Sequence, residues 1–180
     1  MSEGIVLPPL ARGTVLSEPA RVARLDAALP QIEAAVAGES DEIALEATLA
    51  CLLFQTMAQA SFCGFYRRVA EGELAVGPYQ GPMGCLRIAF SRGVCGACAR
   101  TKTAQLVADV HAFPGHIACD DRARSELVLP VLDAHGELRA VLDLDSHTAS
   151  AFSAAEAERI GALLRAVFGA TGVRWASVRG

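Results

Sequence analysis

Apolar residues fall at helical spacing in two stretches near the start of the chain. Residues 18–29 carry Val22, Leu25 and Leu29 ahead of Pro30, and residues 41–60 carry Ile43, Leu45, Leu49, Leu52, Leu53 and Met57 with no Gly or Pro to interrupt them. Ser40 or Asp41 is placed to cap the second helix. From Ser61 the pattern changes to short segments divided by turn residues, at 62–69, 74–79, 86–90, 105–107, 126–132 and 138–145. These predict strands. Residues 95–101 suit a short helix, whereas 109–124 hold too many polar and turn-forming residues for regular structure and predict one long loop. A last helix is predicted after Ser153-Ala-Ala-Glu156, which has capping-box spacing, with Ile160, Leu163, Leu164, Val167 and Phe168 on one face.

This order of helix, helix, mostly antiparallel sheet and closing helix predicts an α+β domain. Residues 19–172 form the expected domain, after a flexible leader (1–18) rich in Pro and Gly and before a short tail (173–180). A chain of 180 residues, 52% hydrophobic and 20% charged, can bury one core without covalent staples.

The formal charge of −4, with no basic block, argues against a nucleic-acid binder. No run of about 18 apolar residues predicts a membrane span, and the apolar stretch near Ile5 is too short and proline-broken for a secretory signal. The expected location is therefore cytoplasmic. Six cysteines then point to thiol chemistry, because that compartment keeps thiols reduced unless a disulfide is transient and catalytic.

Alternation through 138–145 puts Leu138, Ala140, Leu142 and Leu144 on one face and leaves Asp143 and Asp145 together on the other. If Asp133-Ala-His-Gly136 closes a symmetric four-residue hairpin loop, Glu126 lies opposite Asp143. Three partly buried carboxylates repel, so the group holds at least one proton near neutrality. A retained proton can be donated to an S=O oxygen while the remaining charge holds an ammonium. The alternative is a solvated sheet end.

Cys51 and Cys63 sit among apolar residues and read as core. Cys85, Cys95 and Cys119 are expected on turns or loops, where backbone can approach a ligand. Cys95 and Cys98 form a lone CxxC, but a zinc site would need a second pair. His111 and His116 are five apart in a Pro/Gly loop, and His135 and His147 sit at strand ends. No metal is expected. A loop cysteine beside carboxyls can attack sulfur and become a sulfenic acid, which a second thiol resolves to a disulfide that an external dithiol must reduce.

Several stretches together resemble the free methionine-R-sulfoxide reductases of the GAF fold. They are Gly64-Phe-Tyr66, Gly77-Pro-Tyr-Gln-Gly81, Gly93-Val-Cys-Gly96, Asp109-Val-His-Ala-Phe-Pro-Gly-His-Ile-Ala-Cys-Asp120, Ser125-Glu-Leu-Val128 and Leu142-Asp-Leu-Asp-Ser146. The resemblance implies a single GAF-like domain with a six-stranded, mostly antiparallel sheet, a homodimer, thioredoxin as reductant and no cofactor. It also implies Cys119 as nucleophile, Cys85 as resolving partner and Cys95 as a third active cysteine, with Glu126, Asp143 and Asp145 binding the sulfoxide and amino groups. Phe62 stands where the family commonly has Trp over the substrate methyl group, and Tyr66 belongs to the same aromatic wall. Cys98 replaces a small apolar residue and is expected to pack in its helix. The rival readings are a non-catalytic GAF sensor, which would bind a ligand without turnover, and a zinc-stabilised domain.

Overall fold

The computed structural model describes residues 6–115 and 119–178. The described residues include helices α1 (Glu18–Val36), α2 (Glu42–Thr56), α3 (Gly93–Thr101) and α4 (Ala154–Phe168). The strands are β1 (Phe62–Ala70), β2 (Glu73–Gln80), β3 (Arg87–Ala89), β4 (Gln105–Val107), β5 (Ser125–Leu132) and β6 (Leu138–Ser146). Each predicted element is present, with one extension. α1 continues seven residues past Leu29 and carries Pro30 inside it, because Leu25, Ala28, Ile32 and Val36 form one buried stripe whose packing outweighs the missing proline N–H. Asp41 caps α2 by accepting from the Ile43 and Ala44 N–H groups.

The strands form one antiparallel sheet in the order β3-β2-β1-β6-β5-β4. On one face lie α1, α2 and α4 over a core that includes Cys63, Phe65, Leu127, Leu129, Leu142 and Leu144. A second, smaller cluster on the opposite face joins Phe62, Tyr66, Val128 and Val141 to Cys95, Cys98 and Ala99 of α3. The sheet is thus buried on both sides, and the second face builds the site. Among the described residues no helix is long and apolar enough to cross a membrane.

The β5–β6 hairpin differs from the symmetric expectation. Its loop holds five residues, with the Asp133 carboxylate accepting from the His135 and Glu137 N–H groups, and the register shifts by one more residue between Val131 and Leu132. Glu126 therefore pairs with Asp145, and Asp143 faces Val128. The same irregularity carries Leu138 to the α3 face, away from Ala140, Leu142 and Leu144.

Two buried acids behave in opposite ways. Glu156 closes the expected capping box with Ser153 and also accepts from Arg21 at 3.1 Å and Gln59 at 2.9 Å, tying α4 to α1 and to the segment before β1. Glu46 on α2 is fully buried with no hydrogen-bond partner for either oxygen among the described residues. Burial, then the neighbouring Glu42, push its carboxyl up to about 8.

The N-terminal segment lies along the helical layer, with the Gly13 N–H donating to the Ala58 carbonyl and Arg12 to that of Met57. At the other end, the Arg174 N–H donates to the Ser40 carbonyl, and Trp175 packs 5.5 Å from the Phe168 ring.

Candidate active site

The acids gather where β5 and β6 run side by side under α3. Alternation places Glu126 of β5 and Asp143 and Asp145 of β6 on the face that carries the α3 cluster. Glu126 and Asp143 are buried at 6% and 5% exposure, while Asp145 is partly exposed at the rim. The Glu126 and Asp143 carboxyls adjoin, with an oxygen of each within 4.8 Å of the other. All three are held above the ordinary carboxylate range. Burial is the largest cause for each, reinforced at Glu126 by Asp143 and Asp145, and at Asp145 by Asp143 and Asp120. At neutral pH the cluster therefore keeps a proton and can donate it.

Gly93-Val-Cys-Gly96 sets Cys95 against these acids. Gly93 takes a φ of +66°, which glycine tolerates, and its N–H donates to the Gly115 carbonyl, fixing the start of α3 to the long loop. A Cβ on Gly96 would stand 2.6 Å from the Ala89 carbonyl oxygen, so α3 can lie this close to the turn after β3 only with glycine there. Cys95 is consequently in the first turn of a helix and buried, not on a loop as its glycine neighbours suggested. Its thiol donates to Glu126 Oε1 at 3.9 Å. Burial, then the charges of Asp143, Glu126 and Asp145, push that thiol well above its ordinary value. Cys98 is fully buried in the α3 cluster, as packing predicts, and Cys63 lies in the other core. Cys51 is only partly buried and accepts from the Gln55 amide, so it is less of a core residue than its helix suggested.

Cys85 and Cys119 form a disulfide across 34 residues, with Cα atoms 5.4 Å apart. A cavity of about 30 Å³ lies beside it, lined by Cys95, Cys119, Glu126, Asp143 and Asp145, with Asp120 at its edge. A smaller space of about 10 Å³ on the other side is bounded by Phe62, Tyr66, Gly84, Cys119, Asp120 and Asp145. Both spaces are lined by Cys119 and neither by Cys85. Cys119 is exposed and Cys85 half-buried.

The aromatic wall stands as a row, with the Phe62 ring 5.4 Å from Tyr79 and 6.3 Å from Tyr66. The Tyr66 hydroxyl meets the backbone of Cys85 and stays un-ionised, chiefly because it is buried and next because Asp143 is near.

Sequence reasoning did not assign a role to Asp120, Arg122 or His147. Asp120 follows Cys119 directly, accepts from Arg122 at 2.9 and 3.0 Å and is hydrogen-bonded to His147 Nε2 at 2.9 Å. The Arg122 hydrogen bonds hold its carboxyl well below the usual range, so a fixed negative charge adjoins the disulfide. The Asp-x-Arg spacing at 120 and 122 was the available signal. His116 lies outside the described residues, and His135 sits in the β5–β6 loop, where its N–H donates to the Asp133 carboxylate. Among the described residues the metal-donor side chains that group together are Cys95, Glu126 and Asp143.

A curled antiparallel sheet with a small helix over one face and a helical layer over the other defines a GAF domain. The GAF domain family matches residues 39–167, and the chain belongs to it. Within the family it is 42% identical over 125 residues to Protein YtsP of Bacillus subtilis, spanning 69% of this chain and 76% of that one. It is 40% identical over 113 residues to the free methionine-R-sulfoxide reductase of Escherichia coli, spanning 63% and 67%. Its structure resembles that of free methionine-R-sulfoxide reductase from Neisseria meningitidis in complex with its substrate, with a TM-score of 0.76, 36% identity and coverage of 89% of this chain and 93% of that one.

Proposed function

We propose that this GAF domain is an oxidoreductase that converts the R-sulfoxide of free L-methionine to L-methionine. The observation that carries the reading is the Cys85–Cys119 disulfide at the edge of a cavity walled by three carboxyls, with Cys119 as the sulfur that faces it. The relatives named for this activity support the choice of substrate.

In the reduced protein the Cys119 thiolate attacks the sulfoxide sulfur, and the Glu126–Asp143 pair gives a proton to the oxygen. The oxygen passes to Cys119 as a sulfenic acid and methionine leaves. The Cys85 thiol then displaces water from that sulfenic acid, closing the disulfide. The net change is one sulfoxide and two thiols to one thioether, one disulfide and one water. The reaction as written requires no metal or organic cofactor.

Asp145 at the rim holds the substrate ammonium, while Phe62 and Tyr66 line the side that receives the methyl group. The deep burial and raised thiol of Cys95 argue for a supporting role next to the acids. A thioredoxin-type dithiol reduces the disulfide, and the enzyme acts as a homodimer in the cytoplasm.

The test is separate incubation of the protein with the R and S epimers of free methionine sulfoxide plus dithiothreitol or thioredoxin, followed by chiral chromatography. Consumption of the R epimer alone with stoichiometric methionine is expected. Recovery of both epimers unchanged, with a bound ligand that is never transformed, would replace the enzyme with a sensor.

A further inference from the structure

Cys95, Glu126 and Asp143 each bring one potential donor atom to a common point, all within 4.8 Å of one another, and all three residues are buried. Among the described residues Asp143 Oδ1 has no hydrogen-bond partner although it is buried, and Asp143 lines the cavity of about 30 Å³ together with Cys95 and Glu126. An acceptor left alone in such a place carries a desolvation penalty that no hydrogen bond repays. A cation would offset that penalty.

The donor set selects the cation. One thiolate and two carboxylates suit a borderline-soft divalent ion such as Zn²⁺, which is content with four ligands. Ca²⁺ and Mg²⁺ require six or more oxygen ligands, and a sulfur donor does not suit them. Zinc bonds of about 2.0–2.3 Å imply donor separations of roughly 3.5 Å in a tetrahedron, so rotation of these side chains by a fraction of their length closes the present spread. A cavity of about 30 Å³ has room for such an ion and one water.

We propose that Cys95, Glu126 and Asp143 form a site for a zinc-like divalent cation, with water or Asp145 at the fourth position, and that the bound ion blocks the acidic end of the cavity. Coordination exchanges the S–H bond of Cys95 for a sulfur–metal bond, its proton and the proton held by the carboxyls passing to solvent, with no change in oxidation state. Cys95 lies outside the disulfide, so the site persists while Cys85 and Cys119 are joined. The binding site stands on geometry alone, and only the expectation of inhibition rests on the proposed reductase activity.

The experiment uses the oxidised protein, stripped with chelator, whose disulfide keeps Cys85 and Cys119 from competing. Titration with Co²⁺ is followed by the near-ultraviolet thiolate-to-cobalt charge-transfer band, and Zn²⁺ is then added to displace it. One ion per chain is expected by elemental analysis. The band should be absent in Cys95→Ser and intact in Cys51→Ser. In Glu126→Gln, which retains the thiol and the side-chain shape, affinity should fall at least about tenfold, since loss of even an outer-shell partner weakens metal binding by 10–100-fold. No band in the wild type, or a band that survives Cys95→Ser in a chain shown to be folded by circular dichroism, overturns the site.

A second arm mixes reduced, reductant-free protein with the sulfoxide and measures the methionine burst with and without Zn²⁺. Suppression relieved by chelator supports blockade, and an undiminished burst from zinc-loaded protein overturns it. Failure of the reductase reading would register separately, as no burst in the metal-free sample.

Discussion

The Cys95 sulfur lies 3.9 Å from Glu126 Oε1, so an uncharged thiol is packed against an acid that adjoins Asp143. Burial and the Asp143 charge favour the neutral forms of Glu126 and Cys95, whereas contact with Cys95 and Glu126 favours the charged form of Asp143 against its burial. The arrangement stores protons beside Cys119, the sulfur that can leave the disulfide and react.

The division of labour among the cysteines can be read from single turnovers. Reduced Cys85→Ser should release close to one equivalent of methionine and stop at a sulfenic acid, detectable by mass spectrometry with a sulfenic-acid trap. Reduced Cys119→Ser should release none. A full burst from Cys119→Ser would reassign the nucleophile.

Proton donation gives a pH dependence with a defined sign. Glu126, Asp143 and Asp145 are raised, Asp143 to about 7, so the protonated donor is lost as pH rises through neutrality. The single-turnover rate at saturating sulfoxide should therefore have a falling alkaline limb. A rate that climbs without limit into the alkaline range would remove the carboxyls from the proton-transfer step.

Phe62 packs between two rings, each contact worth about 0.5–1.5 kcal/mol. Phe62→Leu should lower unfolding free energy by about 1–3 kcal/mol in urea melts and raise KM for the sulfoxide several-fold, with kcat changed less. An unaltered KM would take the aromatic row out of substrate binding.

Glu46 predicts a pH effect on stability that is independent of the chemistry. Its carboxyl is raised to about 8 in the fold and titrates near its ordinary value, about 4.3, when unfolded. The folded chain thus binds the proton more tightly, and this contribution is present in acid and lost as pH rises from about 4 to about 8. Glu46→Gln should remove that decline, gaining on the order of a few kcal/mol over wild type at the alkaline end. Equal slopes in the two chains, measured by denaturant melts across that range, would contradict the burial argument.

Much of this was legible in the chain because hydrophobic period survives local irregularity. The alternation through β5 and β6 put Glu126, Asp143 and Asp145 on one face, and a register change of two residues leaves that face unaltered, so the cluster formed although Glu126 pairs with Asp145. The pairing itself was not legible, since a five-residue loop and a one-residue irregularity leave no mark in the apolar pattern. Leu138 changed face for the same reason. Pro30 looked like a helix end, yet the buried stripe from Leu25 to Val36 lies on both sides of it. The Asp120 network depends on a polar loop returning to His147, a tertiary fact with no periodicity. Spacing alone could not select Cys85 and Cys119 from six cysteines, and only the resemblance to a family implied that pair.

The cavity left beside the closed disulfide measures about 30 Å³, whereas ligand pockets run to several hundred. With the Cys85–Cys119 bond closed, the space beside Cys119 is smaller than such a pocket. In kinetic terms the oxidised form is an enzyme already emptied of product, and reductant and sulfoxide meet different forms of the protein. Initial rates with both varied should then give parallel reciprocal plots, the signature of a substituted-enzyme cycle in which the disulfide gates entry of each new substrate.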